Sequence, residues 1–423
     1  MRDPRLHGFY AAATVLAFSL SLLSTRAQAT SSGSEQVIYP FYDCWVSTAP
    51  LIVDRSGNLY GTTVGGGAHG GGCIFKLSPN PDGSWSETVL YSFSGPDGLV
   101  PTKGLVFDKA GNLYGTTEGG GTYEAGVAFE LSLSPGNTWT ETVLHNFGNG
   151  DDGSVPVSEL VFDTAGNLYG TTVWGGVHGG GCYCGGTVFR LSPSPNGWTE
   201  TVLHAFPGRT QGLAPSCPAS GVVIDNAGNL YGVTGCGGAG GFGAAYELVP
   251  KNGAYKERTI HSFDGYRDPS STLAMDSSGN LYGTTWFGGS RLDLCPVLGC
   301  GTVFELTKDQ GGNWTETVLY SLGDNGMNAL GTVAMDSAGN LYATAAEGGF
   351  YGQGSIFRLT PQRDGSWRET VLHLFHHYVN HSRPSRDGQS PWSGVIVYEG
   401  QLFGTTMSGG IHEDGTVFEI SLK

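Results

Sequence analysis

Seven glycine-rich segments of the chain each contain one variable position, and in six of them the residue type suits ligand binding or proton transfer. Each segment follows a Tyr-Gly or closely related pair, and the variable residue comes two positions after a Gly-Gly doublet. These seven residues, here termed the loop column, are His69, Tyr123, His178, Gly240, Arg291, Tyr351 and His412. Imidazole, phenol and guanidinium groups hydrogen-bond to sugars and stack on them, and the first two also serve as catalytic acids and bases.

Two interpretations of the loop column remain open. Its side chains contribute to a ligand-binding face, or each one caps an adjacent repeat in a packing role that is reproduced seven times. Residues spread around a ring would lie too far apart to act together, so chemistry would require a further loop that joins several of them. The sequence therefore identifies candidates for binding but assigns no catalytic residue.

One segment, 376–392, concentrates cationic and titratable groups in an otherwise acidic chain. Its candidates for ligand binding are His376, His377, His381, Arg383 and Arg386. We expect this segment to approach His412 of the same repeat and His69 of the next, which would create a positive pocket for an anionic ligand such as an acidic sugar. The alternative interpretation is a solvated surface loop.

Other polar residues recur at positions that indicate structural roles. Four histidines share one strand position with tyrosines of other repeats, which is typical of packing; the set is Tyr39, Tyr91, His145, His204, His261, Tyr320 and His373. Two sets of aspartates are expected to form turns. They are Asp54, Asp108, Asp163, Asp225, Asp276 and Asp336, and Asp97, Asp151, Asp152, Asp264, Asp324 and Asp387. The glycine-rich segments open no helix that could cradle a phosphate, and we expect neither a cofactor nor a metal.

A sequence repeat that occurs seven times positions all of these residues. The phrase Gly-Asn-Leu-Tyr-Gly-Thr-Thr and its close variants begin at Gly57, Gly111, Gly166, Gly228, Gly279, Gly339 and Gly400, at intervals of 51 to 62 residues. A period of this length is typical of β-propeller blades. Each repeat contains four strand-like pieces with apolar and polar alternation, which we call the inner, second, third and outer strands. The sequence predicts an all-β fold: a seven-bladed β-propeller with four antiparallel strands per blade.

The number of pieces predicts how the propeller closes. The last third-strand piece, 415–420, is followed by no outer strand, whereas an unmatched outer-strand piece, 35–41, precedes the first inner strand. We therefore expect residues 35–41 to complete the seventh blade. This arrangement covers a strand edge that would otherwise be open to aggregation.

The order of the pieces is similar to that of NHL-type propellers, in which the first strand lines the central channel. More specifically, residues 30–423 resemble the GloVer tandem-repeat family of exported bacterial proteins. The phrases that carry the resemblance are Gly-Asn-Leu-Tyr-Gly-Thr-Thr, Gly-Thr-Val-Phe-Glu-Leu and Glu-Thr-Val-Leu-x-x-Phe, and they cover all seven repeats. The resemblance implies repeats and, in that family, varied C-terminal surface anchors, but no activity. Because residues 421–423 follow a strand directly, we expect no such anchor here.

The first 29 residues are typical of a secretory signal peptide. Two arginines precede an apolar stretch over 9–23, and a small-x-small cleavage site stands at 27–29. Residues 30–423 then form one propeller domain, which we expect to be soluble, monomeric, without a membrane span, and extracellular or periplasmic. The formal net charge of −16 becomes −18 once the leader is removed, which argues against nucleic acid as a partner.

Eight cysteines in an exported chain indicate disulfides. All of them fall in or beside the loops of one propeller face, formed by the outer-to-inner and second-to-third connections. The preferred local pairs are Cys44 with Cys73 and Cys295 with Cys300. The remaining pairs would join Cys182 and Cys184 to Cys217 and Cys236, with the connectivity left open. A metal site at Cys182-x-Cys184 is the less favoured alternative, because its spacing is not that of a usual zinc knuckle.

Disulfides at one face point to that face, here termed the loop face, as the working surface, because rigid scaffolds commonly bind through their loops. We predict an exported propeller scaffold that binds a glycan or protein ligand there. The alternative is a carbohydrate-active enzyme, such as a polysaccharide lyase that acts on an acidic glycan, with His and Tyr as base and acid and Arg neutralising a uronate. An enzyme would bring these groups within a few ångströms of one another.

Overall fold

The computed structural model describes residues 35–136, 138–176, 185–208, 214–265, 267–376 and 387–422. These residues form seven antiparallel sheets in which strands pair in the order inner, second, third and outer. The fold is therefore the predicted seven-bladed β-propeller with four strands per blade. None of the described residues belongs to a helix with the length and apolarity that a membrane span requires.

The strands of the seven blades have closely similar bounds within the repeat. The inner strands are Ile52–Val53, Val106–Phe107, Val161–Phe162, Val223–Ile224, Ala274–Met275, Ala334–Met335 and Ile396–Tyr398. The second strands are Leu59–Thr63, Leu113–Thr117, Leu168–Gly175, Leu230–Cys236, Leu281–Thr285, Leu341–Ala345 and Gln401–Thr406. The third strands are Cys73–Pro79, Val127–Ser134, Thr187–Ser194, Ala244–Lys251, Thr302–Lys308, Ser355–Pro361 and Thr416–Ser421. The outer strands are Trp85–Ser92, Thr138–Asn146, Gly197–Ala205, Ala254–Ser262, Trp314–Ser321, Trp367–Leu374 and, for blade 7, Glu35–Pro40.

The N-terminal strand closes the propeller as predicted. Glu35–Pro40 runs antiparallel to Thr416–Ser421, the third strand of blade 7. Across the junction between blades 7 and 1, the hydroxyl of Thr405 donates to the backbone carbonyl of Ala49 at 3.4 Å. Equivalent threonines donate to the next blade elsewhere in the ring, as Thr116 does to the carbonyl of Ser158. The junction therefore uses the same hydrogen bonds as the internal blade interfaces.

Aromatic pairs fill the core between neighbouring blades. After six of the seven outer strands, a phenylalanine packs on an aromatic residue in the third strand of the next blade, as Phe93 does on Phe129 with ring centroids 5.2 Å apart. The same pairing at the closing junction joins Phe41 and Phe75 at 5.3 Å. All four of these rings are fully buried. Since a large aromatic side chain buries 150–250 Å², these pairs supply much of the cohesion between blades.

The glycine of the repeated Tyr-Gly pair makes room for these rings. A Cβ atom built on Gly115 would lie 2.7 Å from Cζ of Phe129, and one on Gly404 would lie 2.4 Å from Cζ of Phe418. Both distances are shorter than carbon atoms tolerate in contact. Glycine is therefore required at these two positions for steric reasons, because a side chain there would prevent the second strand from approaching the aromatic layer.

Six of the seven links between an inner and a second strand are each held by one aspartate, as predicted from the turn sequence, whereas the link of blade 7 consists of Glu399 and Gly400. In blade 1, Asp54 accepts hydrogen bonds from the amides of Ser56 and Asn58 at 2.8 and 3.0 Å, and from the hydroxyl of Tyr60 at 3.1 Å. Burial favours protonation, but these hydrogen bonds prevail and hold the pKa of Asp54 below its ordinary value. Gly57 has a φ of 78°, which glycine adopts without strain.

Each blade also contains a short pairing that the repeat pattern does not predict. The segment before the inner strand runs antiparallel to the end of the second strand or to the loop that follows it. Examples are Cys44–Trp45 against Gly65–Gly66 in blade 1 and Gly388–Gln389 against Ser408–Gly409 in blade 7. This pairing adds a layer of backbone hydrogen bonds at the loop face and ties its loops to the blades.

One residue in each of these segments has a positive φ. The seven residues are Val46, Val100, Val155, Cys217, Asp268, Asn328 and Ser390. Left-handed backbone is costly for a β-branched residue such as Val100, whose φ is 61°. Its amide donates to Gly71 of the preceding blade at 2.9 Å, and its carbonyl accepts from Glu118 of its own blade at 3.1 Å. The strained residue thus links two blades, which accounts for its recurrence around the ring.

Candidate functional site

The loop face carries most of the exposed apolar surface. Of thirteen large apolar side chains that are exposed among the described residues, nine lie in loops or strand ends of this face. They are Tyr42, Trp45, Tyr123, Trp174, Leu292, Val297, Phe350, Tyr351 and Ile411. The other four, Val89, Leu133, Val249 and Val318, lie on third and outer strands. This concentration of exposed apolar groups makes the loop face the candidate for a binding surface.

Aromatic groups in the loop-face segments of three consecutive blades are together termed the aromatic patch, and their ring contacts lie within single blades. Its members are Tyr42, Trp45, Phe350, Tyr351, His376 and His412. Tyr42 and His412 of blade 7 have ring centroids 4.9 Å apart. In blade 6, Tyr351 contacts Phe350 at 4.9 Å and His376 at 5.5 Å. Such rings offer flat apolar faces together with hydroxyl and imidazole groups, a combination that suits sugars and protein side chains.

The described members of the loop column contact separate partners. His412 packs on Tyr42, and Tyr351 packs on His376, in each case at the end of the outer strand of its own blade. A packing role on an adjacent blade was one expectation, but these contacts stay within one blade. His69 and Tyr123 are exposed, and Gly240 lies beside the backbone carbonyl that follows the outer strand of blade 4.

Arg291, the arginine of the loop column, forms ion pairs with two aspartates. Arg291 bonds to Asp293 at 3.0 Å and lies 3.6 Å from Asp324. The remaining predicted ligand-binding residues lie outside the described residues: His178, His377, His381, Arg383 and Arg386. The approach of segment 376–392 to His412 therefore stays a prediction, and the described residue His376 contacts Tyr351 of blade 6.

A polar cluster recurs where the outer strands of neighbouring blades meet. The strand position that holds tyrosine or histidine faces a glutamate on the outer strand of the next blade. At the junction of blades 7 and 1, the hydroxyl of Tyr39 donates to Glu87 at 2.7 Å. At the junction of blades 4 and 5, Nε2 of His261 lies 3.5 Å from Glu316. We call these groups the interface clusters.

A loop aspartate completes several interface clusters. The hydroxyl of Tyr91 donates to Asp97 at 2.5 Å, and Nε2 of His145 lies 3.0 Å from Asp152. The same aspartates accept backbone amides, as Asp97 does from Ser94 at 2.8 Å. The prediction that these aspartates form turns is therefore confirmed at both positions. His145 and His373 are therefore hydrogen-bonded as well as packed.

Burial shifts the glutamates of two interface clusters toward protonation. Desolvation is the main cause that raises the pKa of Glu141 to about 7, and Asp97 raises it further. Desolvation also raises the pKa of Glu35 to about 7, against the lowering effect of His373. Oε1 of each glutamate is buried without a hydrogen-bond partner. An ionised carboxylate is therefore costly at both positions, since it leaves a charged oxygen uncompensated.

These shifts predict that the fold loses stability as the pH rises from about 4.5 to about 7. A glutamate with a raised folded-state pKa releases its proton more readily when the chain unfolds, so ionisation favours the unfolded state within this window. Glu141→Gln is expected to raise the unfolding free energy by on the order of 1 to 2 kcal/mol at pH 8 and to leave it nearly unchanged at pH 4.5. Urea unfolding at both pH values measures this difference.

Two controls isolate this contribution. Burial lowers the pKa of His261, which acts in the opposite direction, so the informative quantity is the difference between Glu141→Gln and the parent. Asp151→Asn removes an exposed carboxylate of the same blade and should change stability equally at both pH values. A gain from Glu141→Gln that is the same at pH 4.5 and pH 8 would contradict the assignment.

Two disulfides anchor the loop face, and both match predicted pairs. Cys44 bonds to Cys73, and Cys295 bonds to Cys300. Cys217 and Cys236 lie in blade 4 at the same face. Their predicted partners, Cys182 and Cys184, lie outside the described residues, so that pairing stays a prediction.

The repeat units described above match a known family over nearly all of the propeller. The model of the Gloeobacter/Verrucomicrobia repeat family matches residues 46–291 and 265–423. The chain belongs to this family. The resemblance to the GloVer tandem repeats is thereby confirmed. No curated protein matches the chain.

Solved structures similar to this Gloeobacter/Verrucomicrobia repeat protein share its fold. A fungal alcohol oxidase of the AA5 family, in complex with copper, is 15% identical with a TM-score of 0.51, over 92% of this chain and 76% of that chain. The extracellular domain of a protein described as a one-component system from B. thetaiotaomicron is 10% identical with a TM-score of 0.53, over 90% of this chain and 39% of that chain. At such identities the likeness extends to the fold alone.

Proposed function

We propose that this repeat protein is an exported scaffold that binds a glycan or protein ligand through its loop face. The observation that carries the proposal is the concentration of exposed apolar side chains on that face, nine of thirteen among the described residues. The aromatic patch belongs to this face, with exposed rings in blades 6 and 7 and Trp45 at the start of blade 1. Disulfides and backbone pairing hold these loops in place, which lowers the entropy lost on binding.

Charge favours a ligand without strong negative charge. The whole chain has a formal net charge of −16. Around the aromatic patch, Asp43 and Glu413 are exposed, and on the same face Arg291 is already bound to acids. An acidic polysaccharide would meet repulsion at these carboxylates. A neutral glycan, stacked on Tyr42 and Tyr351, fits the patch better, and the lyase alternative is correspondingly not favoured.

Export is supported by the leader-like residues 1–29 and by the two disulfides, which persist in oxidising compartments. The closed ring pairs the third strand of blade 7 with residues 35–40, so the closing edge is not open to a second copy. We therefore propose a monomer outside the cytoplasm. Culture fractionation and light scattering of the secreted chain test the two statements independently.

A glycan array probed with the chain from residue 30 onward tests the binding proposal. We expect neutral oligosaccharides to bind, and we expect Tyr42→Ala and Tyr351→Ala each to weaken binding by about tenfold, since one stacked aromatic contributes about 1 to 3 kcal/mol in comparable stacking. Val318→Ala is the matched control, because Val318 is exposed to 40% but lies on an outer strand.

Three outcomes separate the candidates. Binding that survives both tyrosine substitutions excludes the aromatic patch as the site. Preferential binding of acidic glycans, with release of unsaturated ends, would favour the lyase instead. If no glycan binds, the proposed ligand is a protein. A pull-down with the parent chain, and with the Tyr42→Ala chain as control, then tests for a protein ligand.

A further inference from the structure

We propose that Glu35, His373 and Asp387, where blades 6 and 7 meet, form a site for a divalent transition-metal ion such as Zn²⁺. One ligand atom from each residue lies within 4.8 Å of the others. Within the described part of the chain, no other three His, Cys, Asp or Glu residues bring their ligand atoms this close. The site goes beyond ligand binding at the loop face and beyond the sequence-based expectation that no metal is bound.

The geometry of the cluster suits a small cation. Nε2 of His373 lies 3.2 Å from both carboxylate oxygens of Asp387. Ligands that share a zinc ion at about 2.0–2.2 Å stand roughly 3 to 4 Å apart, so atoms that already lie within 4.8 Å of one another need to approach by about 1 Å or less on average. Oε1 of Glu35 is buried and accepts no hydrogen bond, so this oxygen is available to a cation.

Neighbouring groups orient the proposed ligands. The backbone amide of His376 donates to Oδ2 of Asp387 at 3.0 Å, which positions that carboxylate. Nδ1 of the same histidine lies 3.5 Å from Oδ2. Glu35 is held in register by strand pairing, opposite Ile420. Hydrogen bonds of this kind to ligand carboxylates strengthen metal binding.

One other interface cluster places a cation beside its glutamate. At the junction of blades 4 and 5, the guanidinium of Arg267 bonds to Glu316 and lies 3.9 Å from Asp264. That same Glu316 faces His261. An interface cluster of this fold therefore accommodates a positive charge next to its glutamate.

The ligand set indicates the class of metal. One imidazole nitrogen and two carboxylate oxygens are typical ligands of zinc, whereas calcium prefers six to eight oxygen ligands. Neutral histidine with two ionised carboxylates has a charge of −2, which a divalent ion balances. The role that follows is structural: the ion would tie the closing strand to blade 6, because Glu35 and His373 belong to different outer strands.

His373→Tyr is the variant that tests this site. Tyrosine occupies the equivalent position as Tyr39, Tyr91 and Tyr320, so the fold should accept it. The chain from residue 30 onward is stripped with EDTA, incubated with ZnCl₂ at neutral pH and desalted, and its zinc is counted by plasma mass spectrometry. We expect one zinc ion per parent chain, and at least a tenfold loss of affinity in His373→Tyr by titration calorimetry.

His145→Tyr is the matched control, because His145 holds the same strand position and contacts Asp152. We expect it to retain zinc. A second readout is the unfolding temperature, which zinc should raise in the parent and in His145→Tyr but not in His373→Tyr. The proposal is overturned if the parent binds no zinc, or if His373→Tyr retains as much zinc as the parent, since the metal would then reside elsewhere.

Discussion

Replacing Gly283 with alanine is expected to lower the free energy of unfolding by about 2 to 3 kcal/mol, the upper part of the range for overpacked cores. A Cβ atom at this position would lie 2.6 Å from Cζ of Phe304 and 2.9 Å from Cδ2 of Leu273. Phe304 cannot withdraw, because Phe263 of the preceding blade packs on it at 5.1 Å. Urea unfolding monitored by tryptophan fluorescence measures the loss.

Blade 6 indicates how the same fold accommodates the extra methyl group. It has Ala343 where blade 5 has Gly283, and two of the neighbours are smaller. Leu322 stands where other interfaces have phenylalanine, and Val333 stands where blade 5 has leucine. All three are buried in one cluster with Phe357. The exception to the Tyr-Gly phrase is thus explained by compensation in the surrounding side chains.

This explanation can be tested with a thermodynamic cycle. Introduced after Phe263→Leu and Leu273→Val, Gly283→Ala should cost less than about 1 kcal/mol, because the background reproduces blade 6. Gly119→Ala is the control for a harmless methyl group, since its Cβ would have no neighbour nearer than 3.8 Å. Equal costs of Gly283→Ala in the two backgrounds would refute the steric account.

The architecture of this protein can be predicted from its sequence because the same local sequence pattern occurs in all seven repeats. The aspartate and glycine of the turn, the alternation of the strands and the spare piece at residues 35–41 all depend on nearby residues or on simple counting. Long-range closure follows from the count, since one blade lacks an outer strand. Two disulfides could be paired correctly because their partners, such as Cys295 and Cys300, are close in the repeat.

The added layer of strand pairing at the loop face has no such local signal. In three blades the residue with a positive φ is a valine, namely Val46, Val100 and Val155. Valine favours extended backbone, so its residue type does not predict this conformation. Hydrogen bonds to the preceding blade stabilise this conformation, such as the one that the amide of Val100 donates to the carbonyl of Gly71. Contacts between repeats determine this strand pairing, so the sequence of a single repeat does not predict it.

The candidate sites likewise combine residues that the sequence identifies with an arrangement that it does not predict. The strand position shared by histidine and tyrosine and the glutamate of the Glu-Thr-Val-Leu phrase are both visible in the sequence, but their meeting across blades depends on how adjacent sheets are rotated. Residues of the aromatic patch such as Trp45 and Phe350 stand singly in dissimilar loops. Their common feature is exposure on one face, which only the three-dimensional arrangement defines.

Loss of the Cys44–Cys73 disulfide is expected to be the most damaging change, at about 3.5 kcal/mol. The two cysteines are 29 residues apart, and a cross-link stabilises more when it closes a longer loop in the unfolded chain. Cys295 and Cys300 are separated by only 5 residues, for which the same reasoning gives about 2 kcal/mol. Urea unfolding of Cys44→Ala/Cys73→Ala and Cys295→Ala/Cys300→Ala measures the difference.

Position in the fold strengthens this expectation. Cys44 follows the closing strand Glu35–Pro40, and Cys73 begins the third strand of blade 1, so the bridge connects the N-terminal segment to the blade after the junction. Without it, closure relies on the pairing with Thr416–Ser421 and on the packing of Phe41 against Phe75. The strand can then detach and expose an edge, so the first double variant should also aggregate at lower urea. Equal losses in the two variants would show that neither loop length nor the junction determines the contribution.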